Sequence, residues 1–60
     1  MQVKVIVNDE EIYATFLRKD DIFLYLRRSK DKKILAVIKD TIDKSYEKLK
    51  DGSYKEIFIK

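Results

Sequence analysis

The sequence contains no cysteine and no histidine, which removes much of the stabilising and catalytic chemistry open to a 60-residue chain. Without cysteine there is neither a disulfide nor a thiolate ligand for a metal ion. Without histidine the commonest ligand of transition metals is also missing. We therefore expect no metal and no cofactor, and we expect a reducing, cytoplasmic environment, with which a cysteine-free composition is compatible.

Proline is absent as well, and glycine occurs once, at Gly52, so the chain has neither a flexible linker nor a glycine-rich phosphate loop. The usual nucleophile–base pairs of covalent catalysis cannot form without cysteine and histidine. No run approaches the roughly 18 apolar residues that span a bilayer. These absences predict a single domain over residues 1–60 that is not an enzyme and does not enter a membrane.

A domain of this size needs help to remain folded. It buries only roughly 60% of the surface that its unfolded chain exposes. Small domains usually gain stability from disulfides, from metals or from a second subunit. Because the first two are excluded here, we expect a homodimer.

Alternation of apolar residues predicts three strands and favours a fourth. Segments 2–7 and 12–17 alternate, and the polar stretch 8–11 between them has turn chemistry, which together predict a β-hairpin. The apolar run 22–26 favours a strand, although the acids before it and the arginines after it also suit a helix. Alternation returns in segment 54–59.

The segment from Asp31 to Asp51 is predicted to be one long helix. Its apolar residues follow the three- and four-residue spacing of a helix face. They are Leu35, Ile38, Ile42, Tyr46 and Leu49. Gly52 follows where a helix-ending glycine belongs. The predicted fold is therefore α+β, a small mostly antiparallel sheet with one long helix on one face, in the order β-β-β-α-β; with a helical third element the order becomes β-β-α-α-β.

A second apolar line on this helix predicts the dimer contact. Ile34, Val37 and Thr41 lie about 100° around the helix from the main stripe. The helix, roughly 30 Å long, also exceeds strands that span about 20 Å. We interpret the line as the seam of a helix–helix dimer; alternatively, the helix lies deep in a groove of its own sheet.

Alternation also predicts an aromatic face on the uncovered side of the sheet, beside Lys4 and Arg27. Its candidate binding residues are Tyr13, Phe23, Tyr25, Tyr54 and Phe58. Aromatic rings beside cations form stacking platforms for nucleobases. The same composition is typical of protein interfaces, and half-buried tyrosines also occur on outer sheet faces without any function.

A basic run lies next to this face. Segment 27–33 holds five cations and one acid. The cations are Arg27, Arg28, Lys30, Lys32 and Lys33. Each can neutralise one phosphate of a nucleic acid, whereas the alternative is a solvated loop whose charges do little.

These features favour a non-catalytic binding protein, namely a homodimeric regulator that binds DNA or RNA. In this hypothesis the basic run holds phosphates while Tyr25 and the neighbouring aromatics contact bases. A first alternative is a protein-binding inhibitor or adaptor, of the type that mobile elements encode, which docks on a larger partner through the aromatic face. A second alternative is a designed or minimal scaffold without function, against which the exposed aromatics argue.

Overall fold

The structure, a computed structural model that describes residues 1–60, is a single antiparallel sheet of six strands without an α-helix. The strands are β1 (Gln2–Val7), β2 (Glu10–Lys19), β3 (Phe23–Arg28), β4 (Ile34–Ile38), β5 (Ile42–Lys48) and β6 (Tyr54–Ile57), with one 3-10 turn (Lys39–Thr41) between β4 and β5. Their spatial order is β4-β3-β2-β1-β5-β6. No helix in the structure is long and apolar enough to cross a membrane. The predicted α+β fold is therefore wrong in both of its versions.

The predicted β1–β2 hairpin is confirmed, and its turn explains its register. Val3 lies opposite Ala14 and Val5 lies opposite Ile12. The turn residues Asn8 and Asp9 have φ of 50° and 64°. Two consecutive left-handed residues form the turn whose twist matches that of the flanking strands, and asparagine and aspartate tolerate this conformation best after glycine.

The third element is a strand, as the apolar run indicated, and Asp20 organises the turn before it. One carboxylate oxygen of Asp20 accepts hydrogen bonds from the backbone N–H groups of Ile22 (3.0 Å) and Phe23 (2.7 Å). The backbone N–H of Asp20 donates to the carbonyl of Phe23 at 2.9 Å. The acid that also suited a helix start therefore serves a turn between strands.

The predicted helix from Asp31 to Asp51 is replaced by β4, the 3-10 turn and β5. Segment 34–42 is rich in β-branched residues, which fit a pleated sheet better than a helix. These residues are Ile34, Val37, Ile38, Thr41 and Ile42. The strand propensity of these residues therefore outweighs the helical spacing of the apolar positions.

Two irregularities of the strands produced that misleading spacing. The three-residue 3-10 turn places Ile42 four positions after Ile38. A bulge follows, because Ile42 pairs with Val7 whereas Lys44 pairs with Ile6, so Asp43 is the extra residue. Ile42 and Ser45 consequently both point inward although Ser45 is three positions after Ile42, and a strand acquires the spacing of a helix.

Gly52 belongs to a β-hairpin and does not end a helix. It has φ of 90° between β5 and β6. Its N–H donates to the carbonyl of Leu49 at 3.0 Å, and the N–H of Leu49 donates to the carbonyl of Ser53 at 2.8 Å. Glycine adopts this positive φ at no steric cost, which explains its use here.

The sheet encloses a small core. Because no second layer is present, the sheet can bury its apolar side only by curving onto itself. Seven apolar residues are buried: Val3, Val5, Ala14, Leu24, Leu26, Ile42 and Ile59. Ile59 comes after the last strand, and its carbonyl accepts a hydrogen bond from Lys19 Nζ at 3.4 Å. The end of the chain thereby closes the core near β2.

The proposed helix–helix seam does not exist, because its three residues share no face. Ile34 is 61% exposed on β4, whereas Val37 on the same strand packs against the core. Thr41 lies in the 3-10 turn, where its hydroxyl donates to the carbonyl of Ile38 at 2.7 Å. Without a helix, the interpretation of these residues as a helical stripe is wrong.

Candidate nucleic-acid interface

The outer face of the sheet carries the aromatic residues that alternation predicted there, with one exception. Tyr13, Phe23, Tyr25 and Tyr54 lie on strand positions that alternate with the inward-facing residues. Phe58 follows the end of β6, is 87% exposed and belongs to neither pair of aromatic rings. The four strand aromatics divide into two clusters.

The first cluster, here called the lysine cluster, consists of Lys4, Tyr13, Tyr46 and Tyr54. Lys4 Nζ lies 4.6 Å from the centre of the Tyr46 ring and 4.7 Å from that of Tyr54. The Tyr13 and Tyr54 ring centres are 6.2 Å apart in an edge-to-face arrangement. Strand register causes this contact, since Lys4 pairs with Tyr13 on one side and with Tyr46 on the other. The cation therefore fixes the rings by cation–π attraction.

Glu11 completes the lysine cluster. Its carboxylate lies 3.6 Å from Lys4 Nζ and accepts a hydrogen bond from the Tyr13 hydroxyl at 3.2 Å. Loss of solvation, reinforced by this neighbouring negative charge, raises the pKa of Tyr13. The Tyr13 ring is thus a neutral, positioned phenol, suited to stacking.

The second cluster, here called the arginine cluster, consists of Arg18, Phe23 and Tyr25. The Arg18 guanidinium lies 4.1 Å from the centre of the Tyr25 ring, and the Phe23 and Tyr25 ring centres are 6.1 Å apart. A bulge at Leu17 shifts the register so that Arg18 pairs with Tyr25. The Tyr25 hydroxyl donates to the Asp20 carboxylate at 3.0 Å, which fixes the ring.

Asp20 is held in its charged form. The backbone N–H groups of Phe23 and Ile22 donate to its carboxylate and lower its pKa. The hydroxyl of Tyr25 acts in the same direction. Asp20 therefore positions the arginine cluster as an ionised acceptor.

A polar hollow, here called the basin, lies on the same face. It has a volume of about 280 Å³ and no apolar residue in its lining. Five side chains line it: Gln2, Thr15, Arg27, Ser29 and Lys32. The amide of Gln2 donates to the Thr15 hydroxyl oxygen at 2.8 Å, so that hydroxyl retains its own hydrogen for a ligand. The only ion pairs in the structure are Lys4–Glu11 and Arg28–Asp31, so neither Arg27 nor Lys32 is paired.

The basin lies between the two clusters. Thr15 pairs with Arg27 of β3. Tyr25 of the arginine cluster lies two positions before Arg27 on the same strand. Ser29 lies two positions after Arg27, and its N–H donates to the carbonyl of Tyr13, a residue of the lysine cluster, at 2.9 Å. Tyr25 and Ser29 are four residues apart, about 13 Å at the rise of a strand. Rings, cations and rings thus follow one another across the sheet.

The predicted basic run is divided by the fold. Arg28 and Asp31 form two hydrogen bonds, of 3.0 and 2.6 Å. The Asp31 hydrogen bond raises the pKa of Arg28, and the Arg28 guanidinium lowers the pKa of Asp31 to about 2. A guanidinium engaged by a carboxylate at both nitrogens has little capacity left for a phosphate.

The two other lysines of the run lie outside the basin. Lys30 lines a second hollow of about 200 Å³ together with Glu10 and Glu11. Lys33 lies next to β4, and its backbone N–H donates to Asp31 at 3.2 Å. Of the five cations proposed to bind phosphate, Arg27 and Lys32 share the basin, whereas Arg28 and Lys30 line the second hollow beside two glutamates.

Sequence reasoning missed several residues of this surface. It did not single out Gln2, Thr15, Ser29 or Arg18, and it placed Tyr46 on a helix. The hairpin register could have revealed the pairing of Gln2 with Thr15, since both strands and their turn were identified. The position of Tyr46 beside Lys4 depends on β5, which the helical spacing concealed.

Comparison of the chain with protein-family models, with curated proteins and with solved structures finds no match. No three acidic side chains converge where a cation would bind. The function must therefore be inferred from the outer face itself.

Proposed function

We propose that the outer face binds single-stranded nucleic acid, with a phosphate in the basin and bases on the flanking aromatic clusters. One observation carries the proposal: two unpaired cations in a polar hollow lie between two groups of fixed aromatic rings. Proteins that bind single strands combine a cationic path for the backbone with rings on which bases stack. The regulatory role that we expect from the sequence rests on this binding.

The basin has the chemistry of a phosphate site. Arg27 and Lys32 supply positive charge, and the hydroxyls of Thr15 and Ser29 supply neutral donors. No carboxylate lines the hollow, so nothing there repels an anion. Charge-assisted hydrogen bonds of this kind are roughly twice as strong as neutral ones.

The clusters offer surfaces for bases on either side. Tyr13 is 45% exposed and Tyr54 is 36% exposed, and Tyr25 is partly exposed in the other cluster. A base stacked on an aromatic ring contributes about 1–3 kcal/mol. Rings already held by Lys4 and Arg18 lose little freedom on binding, which favours affinity.

A single strand fits this surface better than a duplex does. The protein has no α-helix to enter a major groove. Rings on a sheet can stack only on bases that are already unstacked from a helix. The alternative of docking on a larger protein is less favoured, because the rings form no continuous apolar patch and cations and polar side chains separate them.

Binding to short fluorescent oligonucleotides, measured by anisotropy over a range of salt concentrations, tests the proposal. The double variant Arg27→Gln with Lys32→Gln is the informative protein. Lys50→Gln with Lys55→Gln is its matched control, because it removes the same charge from outside the basin. We expect the basin variant to bind at least tenfold more weakly and to lower the salt slope by about 1.4, the value for two lost phosphate contacts on a single strand.

Two results would contradict the proposal. One is the absence of binding to both DNA and RNA single strands at low salt. The other is an equal loss of oligonucleotide affinity in the basin variant and in its control, which would show that net charge alone determines binding. We further propose a cytoplasmic location, supported by the cysteine-free composition of the chain.

A further inference from the structure

The two outermost strands of the sheet differ in how they are protected. β6 has four residues and carries Lys55 and Glu56, and such short, charged edges resist pairing with other chains. β4 has five residues, all of them apolar, without a proline or a bulge. Its Ile34 and Ile38 are 61% and 48% exposed. Only β4 is open to a further strand.

The backbone of β4 offers hydrogen-bonding groups in a regular row. Arg28 N–H donates to the carbonyl of Lys33 at 2.8 Å, and Lys39 N–H donates to the carbonyl of Ile22 at 2.9 Å, so these positions face β3. Orientation alternates along an antiparallel strand. The N–H and C=O groups of Ile34 and Ala36 and the N–H of Ile38 therefore point away from the sheet, where they can bond a seventh strand; the Ile38 carbonyl already accepts from the Thr41 hydroxyl.

We infer that β4 binds an extended segment of a protein partner, which joins the sheet and carries acidic residues at the end that lies beside Lys32 and Lys33. Addition of a strand to an open edge is an established mode of peptide recognition, in which backbone bonds give affinity and alternate side chains give specificity. This activity is separate from the proposed nucleic-acid binding and uses the edge of the sheet, although Arg27 and Lys32 contribute charge to both.

Charge at the start of β4 selects an acidic end of the segment. Lys32 and Lys33 precede the strand, Arg27 pairs with its first residue, and the acid nearby, Asp31, is already bonded to Arg28. At the other end of β4 no such preference exists, because Lys39 lies beside Asp20, Asp21 and Asp40. Opposite charges across a strand pair stabilise it, and like charges destabilise it.

The side chains of β4 select apolar residues in the middle of the segment. Ile34, Ala36 and Ile38 lie on the outer face, where Ala36 pairs with Tyr25 and Ile38 pairs with Phe23. Ala36 is small and stands between two isoleucines. A large apolar residue opposite Ala36 would fill this space and contact Tyr25, whereas a small one would leave it open.

A second copy of the chain is a poorer occupant of this edge. Antiparallel pairing of two β4 strands about Ala36 places Lys33 of each copy opposite Lys39 of the other, at both ends of the contact. Lys39 Nζ is held by the carbonyl of Asp20 at 2.8 Å, so it cannot easily turn away. A contact of five residues per chain also falls well short of the roughly 1,200 Å² that stable interfaces bury.

The test uses synthetic peptides and the isotope-labelled protein. The probe peptide is Glu-Glu-Ile-Thr-Leu-Thr-Ile-Glu-Glu, and its control has lysine in place of every glutamate. We expect the probe to shift the amide resonances of Ile34, Ala36 and Ile38, and we expect the control to bind at least tenfold more weakly.

Two protein variants separate backbone pairing from adhesion to apolar surface. Ala36→Pro removes an N–H that makes no bond to β3, at an edge position where proline is tolerated, and we expect it to weaken peptide binding at least tenfold. Ala36→Thr keeps the N–H and is its control. Equal binding of both peptides, no effect of Ala36→Pro, or a peptide-free dimer paired through β4 would each overturn the inference.

The outcome is independent of the proposed nucleic-acid binding. Ala36→Pro leaves every lining residue of the basin in place, so it should bind oligonucleotides as the unaltered protein does. The basin variant lacks two of the cations beside β4, so it should bind the peptide more weakly but still show the peptide-induced shifts at Ala36, because the backbone of β4 is unchanged. Loss of both activities in Ala36→Pro would show a general structural defect, which the amide spectrum detects directly.

Discussion

Thr15 lies directly opposite Arg27 in the pairing of β2 with β3, so a hydroxyl and a guanidinium meet on the outer face between two aromatic clusters. The pairing extends to β1, because Gln2 lies opposite Thr15 and donates a hydrogen bond to it. Three neighbouring strands therefore build the basin, and the fourth contribution comes from the loop after β3. The site depends on register more than on any local motif.

Substitution of Lys32 by glycine should separate stability from binding. Lys32 has φ of 64°, a left-handed conformation that costs a residue with a side chain about 1–2 kcal/mol. Glycine removes this strain but also gives the unfolded chain more freedom, so we expect a stability between unchanged and about 1 kcal/mol higher. Oligonucleotide affinity should fall because a basin cation is lost. Thermal unfolding and anisotropy measure the two effects; a parallel loss of both would contradict the assignment of Lys32.

Substitution of Asp31 by asparagine should reduce the acid sensitivity of the fold. The pKa of Asp31 is lowered from its ordinary value of 3.8 to about 2, chiefly by the hydrogen bond from Arg28. The unfolded state thus takes up a proton first, and the stabilising contribution of Asp31 is complete above about pH 4 and disappears as the pH falls toward 2. The variant should be less stable at neutral pH and should lose less stability over this interval.

Urea unfolding at a series of pH values measures this effect. Asp43→Asn is the matched control, because the Asp43 side chain makes no hydrogen bond or ion pair in the structure. Asp20 and Asp51 also have lowered pKa values, caused by backbone donors in the first and by Ser53 in the second. Some acid sensitivity should therefore remain in the Asp31 variant. An unchanged pH profile would contradict the Arg28–Asp31 contact.

The strands that sequence predicted are those with regular alternation and recognisable turns. β1, β2 and their turn are regular up to the bulge near the end of β2, so their period of two was readable. The period of two could not be read in β4 and β5, because the 3-10 turn and the bulge at Asp43 together imitate a helical period. A bulge depends on the pairing with the neighbouring strand, and no residue type near Asp43 predicted one.

The same distinction applies to the candidate site. Alternation alone placed Tyr13, Phe23 and Tyr25 on one face of the sheet. The contact of Arg18 with Tyr25 needs the bulge at Leu17, and the position of Lys32 needs a left-handed residue in the loop. Sequence therefore predicted the rings of the surface, while the cations that reach them depend on irregular backbone.

Substitution of Ser45 by alanine should destabilise the attachment of β6. Ser45 is buried, and its hydroxyl donates to the carbonyl of Ile57 at 2.8 Å. The variant removes the hydroxyl's hydrogen bond to that carbonyl, which we expect to cost about 1 kcal/mol. Hydrogen exchange should increase in β6 more than in β2. Urea unfolding with unchanged stability would show that the bond contributes nothing.

Substitution of Gly52 by alanine should cost about 1 kcal/mol, although the site has room for a methyl group. Apart from Gly52 itself and its two chain neighbours, no residue has an atom within 4 Å of the position that the added Cβ would take. The φ of 90° at Gly52 is nevertheless unfavourable for any residue with a side chain. Thermal unfolding measures the loss. A stability equal to that of the unaltered protein would place Gly52 outside a left-handed turn.

Amide chemical-shift mapping with a short oligothymidylate tests the binding surface most directly. We expect the oligonucleotide to shift the amides of Thr15, Arg27 and Ser29, together with those of the lysine and arginine clusters. We expect the amides of β6 residue Lys55 and of the loop residue Lys50 to remain unshifted. An absence of shifts at low salt, or shifts confined to residues outside the outer face, would contradict nucleic-acid binding by this surface.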